Sequence, residues 1–450
     1  MGPGRGGVAV HVRTMAHGLL FDSVSARRLE LIMSGLLSVL DTVMWGVITF
    51  SILVVMHEGG HFLAARAFGV KVHEFMIGLP GPSLRFRAKD VDWGITAVPL
   101  GGYVRIAGME PGPEDPLIGE TLVAVRDHGI SEPHALGRYL GVDEDRAQAL
   151  LITVEDWKAV SRDTDDRLVL SVDGDTSALS ATELADRARS VTYRGQSTWK
   201  RVTILSAGVL VNLLTAILTF TVFLSVWGYY EVTTTIDNVD PGTPAEAAGI
   251  LPGDTLITMD GDEVGSWVEF QTAMAATKPA QTITLGLERA GEVIEVDVTL
   301  ADREGHGFVG VGPRPVKVDP TVLQSLGKSL EMSRDTFVVV LGLFDPSRFA
   351  GTVEKFTGPV GLFDQAKQAA HAGPIDFAYL IAAVSLSLGI INILPLPPLD
   401  GGKVVLEFVE RIAGRPLSRN VSLGLSTVGA VLLFSLIGYL TFMDIGRLAG

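Results

Sequence analysis

Four stretches of the chain are apolar over about the twenty residues that a membrane-spanning helix needs. They run from about 36 to 69, 202 to 227, 377 to 394 and 421 to 443. The second stretch contains no charged residue, whereas the first carries Asp41 near its start. This pattern predicts a polytopic α-helical membrane protein with four transmembrane helices.

Residues 231–315, between the second and third apolar stretches, alternate polar and apolar side chains at the period of a β-strand. The segment "TITLGLERAGEVIEVDVTL" folds back at Ala290 and Gly291, which is typical of a hairpin. Helices are predicted after "PGTPAEAAGI" and at 267–278. Strands with two short helices predict a small α+β domain.

The remaining segments differ in character. Residues 70–108 hold short β-like runs interrupted by Gly and Pro, and 109–199 form an acidic insert with a helical stretch around 143–160 and no fold that we can assign. Residues 316–375 predict amphipathic helices, and their one apolar run is too short to span a membrane, which favours helices lying on its surface. The predicted boundaries are 1–35 (tail), 36–69, 70–108, 109–199, 200–228, 231–315, 316–375, 376–403 and 404–450.

Composition agrees with a membrane protein and excludes several chemistries. The 450 residues are 47% hydrophobic, and the mean hydropathy is +0.35. The net charge of −15 makes nucleic acid an unsuitable partner. Cysteine is absent, which excludes disulfides, thiolate-bound zinc and thiol catalysis. A metal ion must therefore be held by His, Asp or Glu.

Basic residues flank the apolar stretches on one side if the amino terminus lies outside the cell. The positive-inside rule assigns that side to the cytoplasm and places residues 231–315 outside it. Four arginines in the tail weigh against this orientation. The supporting residues are Arg66, Lys71, Lys200, Arg201, Lys403, Arg411, Arg415 and Arg419, and the opposing ones are Arg5, Arg13, Arg27 and Arg28.

The candidate chemistry lies in "VVMHEGGHFLAARAFGV", at the end of the first apolar stretch. His57 and His61 are four residues apart, so on a helix they share one face and can hold one metal ion. Glu58 is placed to act as a general base toward water rather than to bind the metal. The alternative is a pair of interfacial histidines that close a membrane helix. Catalytic zinc needs a third protein ligand.

Depth in the membrane points to that ligand. His57 lies about 32 Å along a helix from residue 36, near the inner face of the bilayer. The third apolar stretch ends at the same depth with "NILPLPPLDGGK", whose prolines prevent a continuing helix. Asp400 in this segment is the candidate third ligand, and a plain Asp-Gly turn is the alternative.

"HEGGHFLAARAFGVKVHEF" and "NILPLPPLDGG" resemble the two signature motifs of the site-2 protease family of intramembrane zinc metalloproteases, in its bacterial regulator-of-sigma-factor branch. The resemblance covers most of the chain. It implies one Zn²⁺ per chain bound by His57, His61 and Asp400, with Glu58 as the catalytic acid and base. It also implies that Asn392 assists the scissile peptide, although a lone membrane Asn equally serves helix–helix hydrogen bonding.

Two further segments resemble substrate-binding parts of the family. Residues 93–106, "WGITAVPLGGYVRI", resemble a membrane-associated β-hairpin whose edge pairs with an unwound peptide, and a merely structural hairpin is the alternative. "AGVLVN" resembles a second-helix motif with Val209 in place of the usual proline, which leaves Asn212 as a substrate contact or a packing residue. The candidate substrate contacts are Asn392, Asn212, Gly101, Gly102 and Tyr103.

The domain at 231–315 resembles a bacterial PDZ domain through "PGTPAEAAGILPGD". The resemblance implies a carboxylate-binding loop formed by Phe308, Val309, Gly310 and Val311. It also implies that the domain excludes bulky ectodomains or senses a trimmed substrate, and a purely structural role is the alternative.

The sequence therefore predicts a multi-pass zinc endopeptidase of the bacterial cytoplasmic membrane, with its amino terminus and PDZ-like domain outside and its active site near the cytoplasmic side. The expected partners are the lipid bilayer and single-pass transmembrane substrates, such as anti-sigma factors or remnant signal peptides. A non-catalytic PDZ scaffold would need no zinc. A metal transporter would spread polar residues along its spanning helices, whereas here they cluster at one end.

Overall fold

The first helix contains the first membrane-length segment. The structure is a computed structural model that describes residues 8–449 apart from 100, 111 and 304, with side chains from 30 to 447 apart from 31. Helix α1 spans Val8–Ala67, and its part Ile32–Ala67 is long and apolar enough to cross a membrane. It begins inside the segment predicted to be a tail, because no proline interrupts the chain from 8 to 67.

A four-stranded sheet follows α1. Its strands are β1 (Val72–Ile77), β2 (Ser83–Ala88), β3 (Val91–Thr96) and β4 (Gly102–Ile106). The strand order is β2-β3-β1-β4, with β1 and β3 parallel and the other pairs antiparallel. The strand β4 therefore forms one edge of this sheet.

The predicted hairpin at 93–106 is wrong in its pairing. The strands β3 and β4 do not pair with each other, because β1 lies between them. The hairpin is instead β2–β3, which turns at Lys89 and Asp90 in left-handed backbone conformations. After β3 the chain crosses to the other side of β1, where the Gly78 N–H donates to the Gly101 carbonyl.

The acidic insert at 109–199 is a folded module with its own hydrophobic core. The predicted helical stretch around 143–160 corresponds to a helix whose N-cap, Asp143, accepts from the Arg146 N–H. Leu122, Leu136, Leu150 and Leu184 form the fully buried centre of the core. The elements are α2 (Ile118–His128), α3 (Pro133–Leu140), α4 (Glu144–Asp156), β5 (Val160–Arg162), β6 (Leu168–Leu170) and α5 (Ala181–Ser190).

Asp156, at the end of α4, joins this module to the sheet. Its buried carboxylate accepts from the Gly108 N–H at 2.9 Å and from Arg105 at 3.2 Å. Its backbone carbonyl accepts from the His73 ring at 2.7 Å. Burial lowers the pKa of His73, so the ring is neutral near pH 7 and donates through Nε2. The insert is thus packed against the end of β4 through these hydrogen bonds.

The second membrane-length helix leads into a separate compact unit, Phe220–Ser329. The predicted hairpin and the predicted helix at 267–278 are both confirmed, and the hairpin turns at Ala290 and Gly291 with positive φ angles. The elements are α6 (Thr198–Trp227), β7 (Tyr229–Val239), α7 (Pro244–Ala247), β8 (Thr255–Met259), β9 (Asp262–Glu263), α8 (Trp267–Ala275), β10 (Thr282–Arg289), β11 (Glu292–Thr299), β12 (Ala301–Arg303), β13 (His306–Phe308) and β14 (Val311–Val318).

This unit is built on a sheet ordered β11-β10-β8-β7-β14, with β9 paired to β8 and with β12 and β13 forming a separate pair. Its core contains Ile236, Leu256, Phe270, Leu287 and Val298. The alternating side chains of the strands supply about half of this core, and α8 adds Trp267, Phe270 and Met274. The prediction of a small α+β domain agrees with this architecture.

The chain returns to the first unit through amphipathic helices and ends in two more membrane-length helices. The helices are α9 (Val322–Leu341), a 3₁₀ turn (Gly342–Phe344), α10 (Phe349–Val353), α11 (Pro359–Ala372), α12 (Pro374–Ile393), α13 (Asp400–Ala413) and α14 (Arg419–Ala449). The spans Pro374–Ile393 and Arg419–Arg447 are long and apolar enough to cross a membrane. The predicted break after the third apolar stretch is confirmed at residues 394–399.

Helix α11 packs against the membrane-length helices α1 and α14, whereas the position of residues 316–375 on a membrane surface stays a prediction. The Phe363 ring contacts Phe50 of α1 with 6.0 Å between centroids, and it fills the space that a Cβ on Gly46 would need. The buried Asp444 carboxylate on α14 accepts from the N–H groups of Gly358 and Gly361 at the start of α11. These contacts hold α11 to both helices.

Candidate metal centre

Two histidines on α1 point their ring nitrogens at the same place. His57 and His61 are one helical turn apart and both are buried. Their Nε2 atoms lie 3.2 Å from each other. The helix continues through both residues to Ala67, so a regular backbone fixes their spacing.

Asp400 completes this cluster from a remote part of the chain. It is the first residue of α13, placed there by the break at 394–399, and it is buried. Its Oδ2 atom lies 3.0 Å from Nε2 of His57 and 3.1 Å from Nε2 of His61. Its other oxygen, Oδ1, lies 3.4 Å from the Lys403 ammonium. The structure therefore brings together all three predicted ligands.

The donor atoms fit a zinc ion. Zinc takes imidazole nitrogens and carboxylate oxygens at about 2.0–2.2 Å in a tetrahedral arrangement, which separates neighbouring ligand atoms by about 3.3 Å. The three separations here are 3.0, 3.1 and 3.2 Å. Among the described residues no fourth ligand joins these three, and three protein ligands match a catalytic rather than a structural zinc site.

Both histidines contact helix α6 through their other ring nitrogen. Nδ1 of His61 lies 2.7 Å from the Ile204 carbonyl oxygen, and Nδ1 of His57 lies 3.2 Å from Nδ2 of Asn212. Gly208 lies between these two positions on the same face of α6. A Cβ at Gly208 would lie 2.5 Å from Nε2 of His61 and 2.9 Å from Nε2 of His57.

We expect Gly208→Ala to weaken zinc binding at least about tenfold, because the methyl group would displace both imidazoles from the positions that converge on Asp400. Competition with a chromophoric chelator measures the zinc affinity of the purified protein. Gly438→Ala on α14 is the matched control, since a Cβ there meets no atom within 4 Å. Unchanged zinc affinity in Gly208→Ala would contradict the close approach of α6 to the site.

Glu58 lies beside the cluster and contacts the edge strand β4. Its Oε2 accepts from the Val104 N–H at 3.0 Å. N–H groups alternate along a strand between its partner and its open side, and Val104 uses the side that faces away from β1. The candidate base is thus held by the strand that runs along the site.

A buried ionic cluster fixes α13 two turns beyond Asp400. Glu407 accepts from the Tyr193 hydroxyl at 2.8 Å and pairs with Arg201 at 3.1 Å. Burial, and then the negative charge of Glu407, raise the pKa of Tyr193 well above its usual range, so its hydroxyl remains a donor. These contacts tie α13 to the start of α6 and so fix the carboxylate of Asp400 relative to the histidines.

The other predicted substrate contacts belong to helix α12 and to the segment 101–103 at the start of strand β4. Asn392 donates to the Leu388 carbonyl of its own helix. Gly101 precedes β4 with φ +90°, and Gly102 lies so close to α1 that a Cβ would be 3.0 Å from Cγ1 of Val54. Tyr103 follows within the same edge strand.

The predicted carboxylate loop lies in the separate unit, between β13 and β14. Phe308 ends β13, and Val311 begins β14. The Val309 carbonyl accepts from the Ala245 N–H and the Gly310 carbonyl accepts from the Asp240 N–H, each at 2.9 Å. Its role in binding carboxylates stays a prediction.

Sequence reasoning missed the contribution of α6 and of Glu407. Ile204, Gly208 and Asn212 recur every four residues, a spacing that marks one helix face. That signal is present in the sequence, but it does not say which neighbouring helix the face contacts. The acidic Glu407 carries no comparable signal, because its partners come from distant segments.

Comparisons with known proteins agree with this geometry. The profile described as peptidase family M50 matches residues 45–436, a range that contains all three candidate ligands. Zinc metalloprotease RasP of Shouchella clausii is 30% identical over 432 residues, which cover 91% of this chain and 100% of that protein. The probable protease eep of Enterococcus faecalis is 30% identical, with 91% and 99% covered.

The PDZ domain of an SdrC-like protein from Listeria innocua is a solved structure with local similarity. It is 25% identical, and the match covers 18% of this chain and 93% of that chain with a TM-score of 0.17.

Proposed function

The chain belongs to peptidase family M50, the site-2 protease family, and is an intramembrane zinc protease, from which we propose that it cuts single-pass membrane proteins within their apolar segments. The convergence of His57, His61 and Asp400 beside Glu58 is the observation that carries this proposal. His57, Glu58 and His61 lie toward the carboxyl end of the first membrane-length helix, which supports a proposed position near one face of the membrane.

The proposed mechanism assigns Glu58 the proton transfers. When bound by the three ligands, zinc supplies a Lewis acid that makes water a stronger acid and polarises a peptide carbonyl. Glu58 accepts the proton that the attacking water loses and returns it to the nitrogen of the departing amine. The peptide bond is thereby replaced by a carboxyl group and an amine. The Val104 N–H holds one oxygen of the Glu58 carboxylate at 3.0 Å.

We propose that β4 holds the substrate as an added strand. A helical peptide bond is shielded by its neighbouring turns, so the substrate must be extended before it is cut. The open edge of β4 offers backbone donors and acceptors to an extended peptide. Because one N–H of this edge already binds Glu58, a peptide paired along Gly101, Gly102 and Tyr103 would lie beside the base. Asn392 remains a candidate for contact with the scissile peptide.

The proposed orientation follows the basic residues that flank the spanning helices. It places the amino terminus and the PDZ-like unit outside the cytoplasmic membrane and the metal centre near the cytoplasmic side. Substrates would then be anti-sigma factors or remnant signal peptides left after an outer cut. In this arrangement the loop 308–311 would bind the new carboxyl terminus or the unit would exclude uncut ectodomains.

The position of the cut tests this proposal. The purified protein is reconstituted in vesicles with a model single-pass substrate, and mass spectrometry of the products locates the broken bond. We expect a cut inside the apolar segment, toward its cytoplasmic end.

The matched control is a substrate whose apolar segment is polyleucine in its cytoplasmic half. Because a polyleucine helix resists unwinding, we expect it to be cut more slowly. Cleavage only outside the apolar segment would contradict the proposal. A purified protein that contains no zinc and cuts no substrate would favour a non-catalytic scaffold.

A further inference from the structure

One face of α6 supplies the partners of both histidines. Ile204, Gly208 and Asn212 follow one another at intervals of four residues, as His57 and His61 do on α1. The two faces meet closely, because a Cβ on Gly60 of α1 would lie 2.5 Å from the Ala207 carbonyl oxygen. Helix α6 therefore forms one wall of the metal centre.

Metal binding determines which hydrogen-bond partner each histidine requires from α6. A neutral imidazole that binds zinc through Nε2 carries its proton on Nδ1, and this proton requires an acceptor. His61 has one, since the Ile204 carbonyl oxygen lies 2.7 Å from its Nδ1. His57 requires an equivalent acceptor, and its Nδ1 faces the Asn212 amide at 3.2 Å.

The Asn212 amide has an oxygen to offer. Asn212 is fully buried, and among the described residues its Oδ1 has no hydrogen-bond partner. Its Nδ2 and the Nδ1–H of a zinc-binding His57 would both be donors. A half-turn of the amide exchanges oxygen and nitrogen without changing its shape and places Oδ1 opposite His57. That single rotation pairs the buried oxygen with the imidazole proton and moves Nδ2 to the position that Oδ1 leaves.

The surrounding contacts fix Asn212 in this place. Ser385 of α12 donates to its backbone carbonyl at 3.0 Å. A Cβ on Gly389 would lie 3.3 Å from its Cβ, so α12 closes over it. Because none of its surface is exposed, a substrate peptide has no access to this side chain.

We propose that Asn212 is a positioning residue for the metal centre and not a substrate contact. Its Oδ1 accepts from Nδ1–H of His57 and so fixes the tautomer and the ring orientation that let Nε2 bind zinc. Asn212 thus does for His57 what the Ile204 carbonyl does for His61. The inference rests on the zinc site of the proposed function.

Zinc affinity of the purified, detergent-solubilised full chain tests it by competition with a chromophoric chelator. We expect Asn212→Leu to bind zinc about 10–100-fold more weakly than wild type, the effect typical of lost outer-shell partners. Asn212→Asp keeps an acceptor of nearly the same shape, and we expect it to bind zinc about as tightly as wild type. Asn420→Leu is the matched control and should keep wild-type affinity, because Asn420 is exposed in the first turn of α14.

Cobalt substitution adds a readout that a packing role would not change. We expect Asn212→Asp to keep the visible absorption of the Co²⁺-loaded wild type and Asn212→Leu to alter it. Wild-type zinc affinity in Asn212→Leu would overturn the inference. If that variant does not fold, a tenfold loss of affinity in Asn212→Asp would overturn it alone. A wild-type protein that binds no zinc would overturn both this inference and the proposed zinc chemistry. A wild-type protein that binds zinc but cuts no substrate would overturn only the proposed zinc chemistry.

Discussion

Replacing Glu58 by Gln is expected to slow cleavage of a transmembrane substrate about 10²–10⁴-fold, the contribution of a positioned acid and base. Gln keeps the shape and can still accept from the Val104 N–H, but it takes up no proton from water. We expect zinc affinity to stay at the wild-type value, because the three converging donor atoms do not include Glu58. Single-turnover cleavage and chelator competition on the same preparation measure the two quantities.

Glu120→Gln is the matched control for this change. Glu120 lies on the exposed face of α2, in the acidic insert, so the same substitution removes a carboxylate far along the chain from the site. We expect its cleavage rate to equal that of the wild type. Equal rates for Glu58→Gln and wild type would show that another group moves the proton.

The spanning helices could be predicted because their signal is local. The apolar stretch predicted at 202–227 corresponds to Thr198–Trp227, and the one at 377–394 corresponds to Pro374–Ile393. Hydropathy over about twenty residues decides such segments without reference to the rest of the fold. Three prolines likewise end the third helix before Asp400.

Strand order could not be predicted in the same way. The runs that became β3 and β4 are adjacent in sequence, and adjacency favours a hairpin. Their separation by β1 depends on how the sheet packs on α1, where Phe62, Phe75 and Trp93 form one aromatic group. The acidic insert shows the same limit, since its link to the sheet rests on Asp156 and partners distant in sequence.

The residues of the site differ in the same way, since some carry a local sequence signal and others do not. His57, Glu58 and His61 share one helix, so spacing alone predicts a metal site with an adjacent base. Asp400 required matched depth in the membrane and family resemblance in addition. The roles of Gly208 and Glu407 emerge only from the packing of α6 against α1 and α13.

Asp400→Ala is expected to reduce zinc affinity about 60- to 700-fold. Structural zinc sites gain about 10–16 kcal/mol from four ligands, so one ligand accounts for about 2.5–4 kcal/mol. The Oδ2 atom of Asp400 lies within 3.1 Å of both imidazoles, and no other carboxylate of the described residues joins this cluster. Two histidines alone would therefore hold zinc weakly, and cleavage would fall with occupancy.

The comparison with Asp376→Ala separates this effect from a general loss of acidic residues. Asp376 is exposed in the first turn of α12, the opposite end of the helix that leads to Asp400. We expect Asp376→Ala to retain one zinc per chain by elemental analysis after gel filtration, and Asp400→Ala to retain far less. A zinc content near one in Asp400→Ala would mean that another group completes the site, and the ligand set would then have to be sought on β4 or α6.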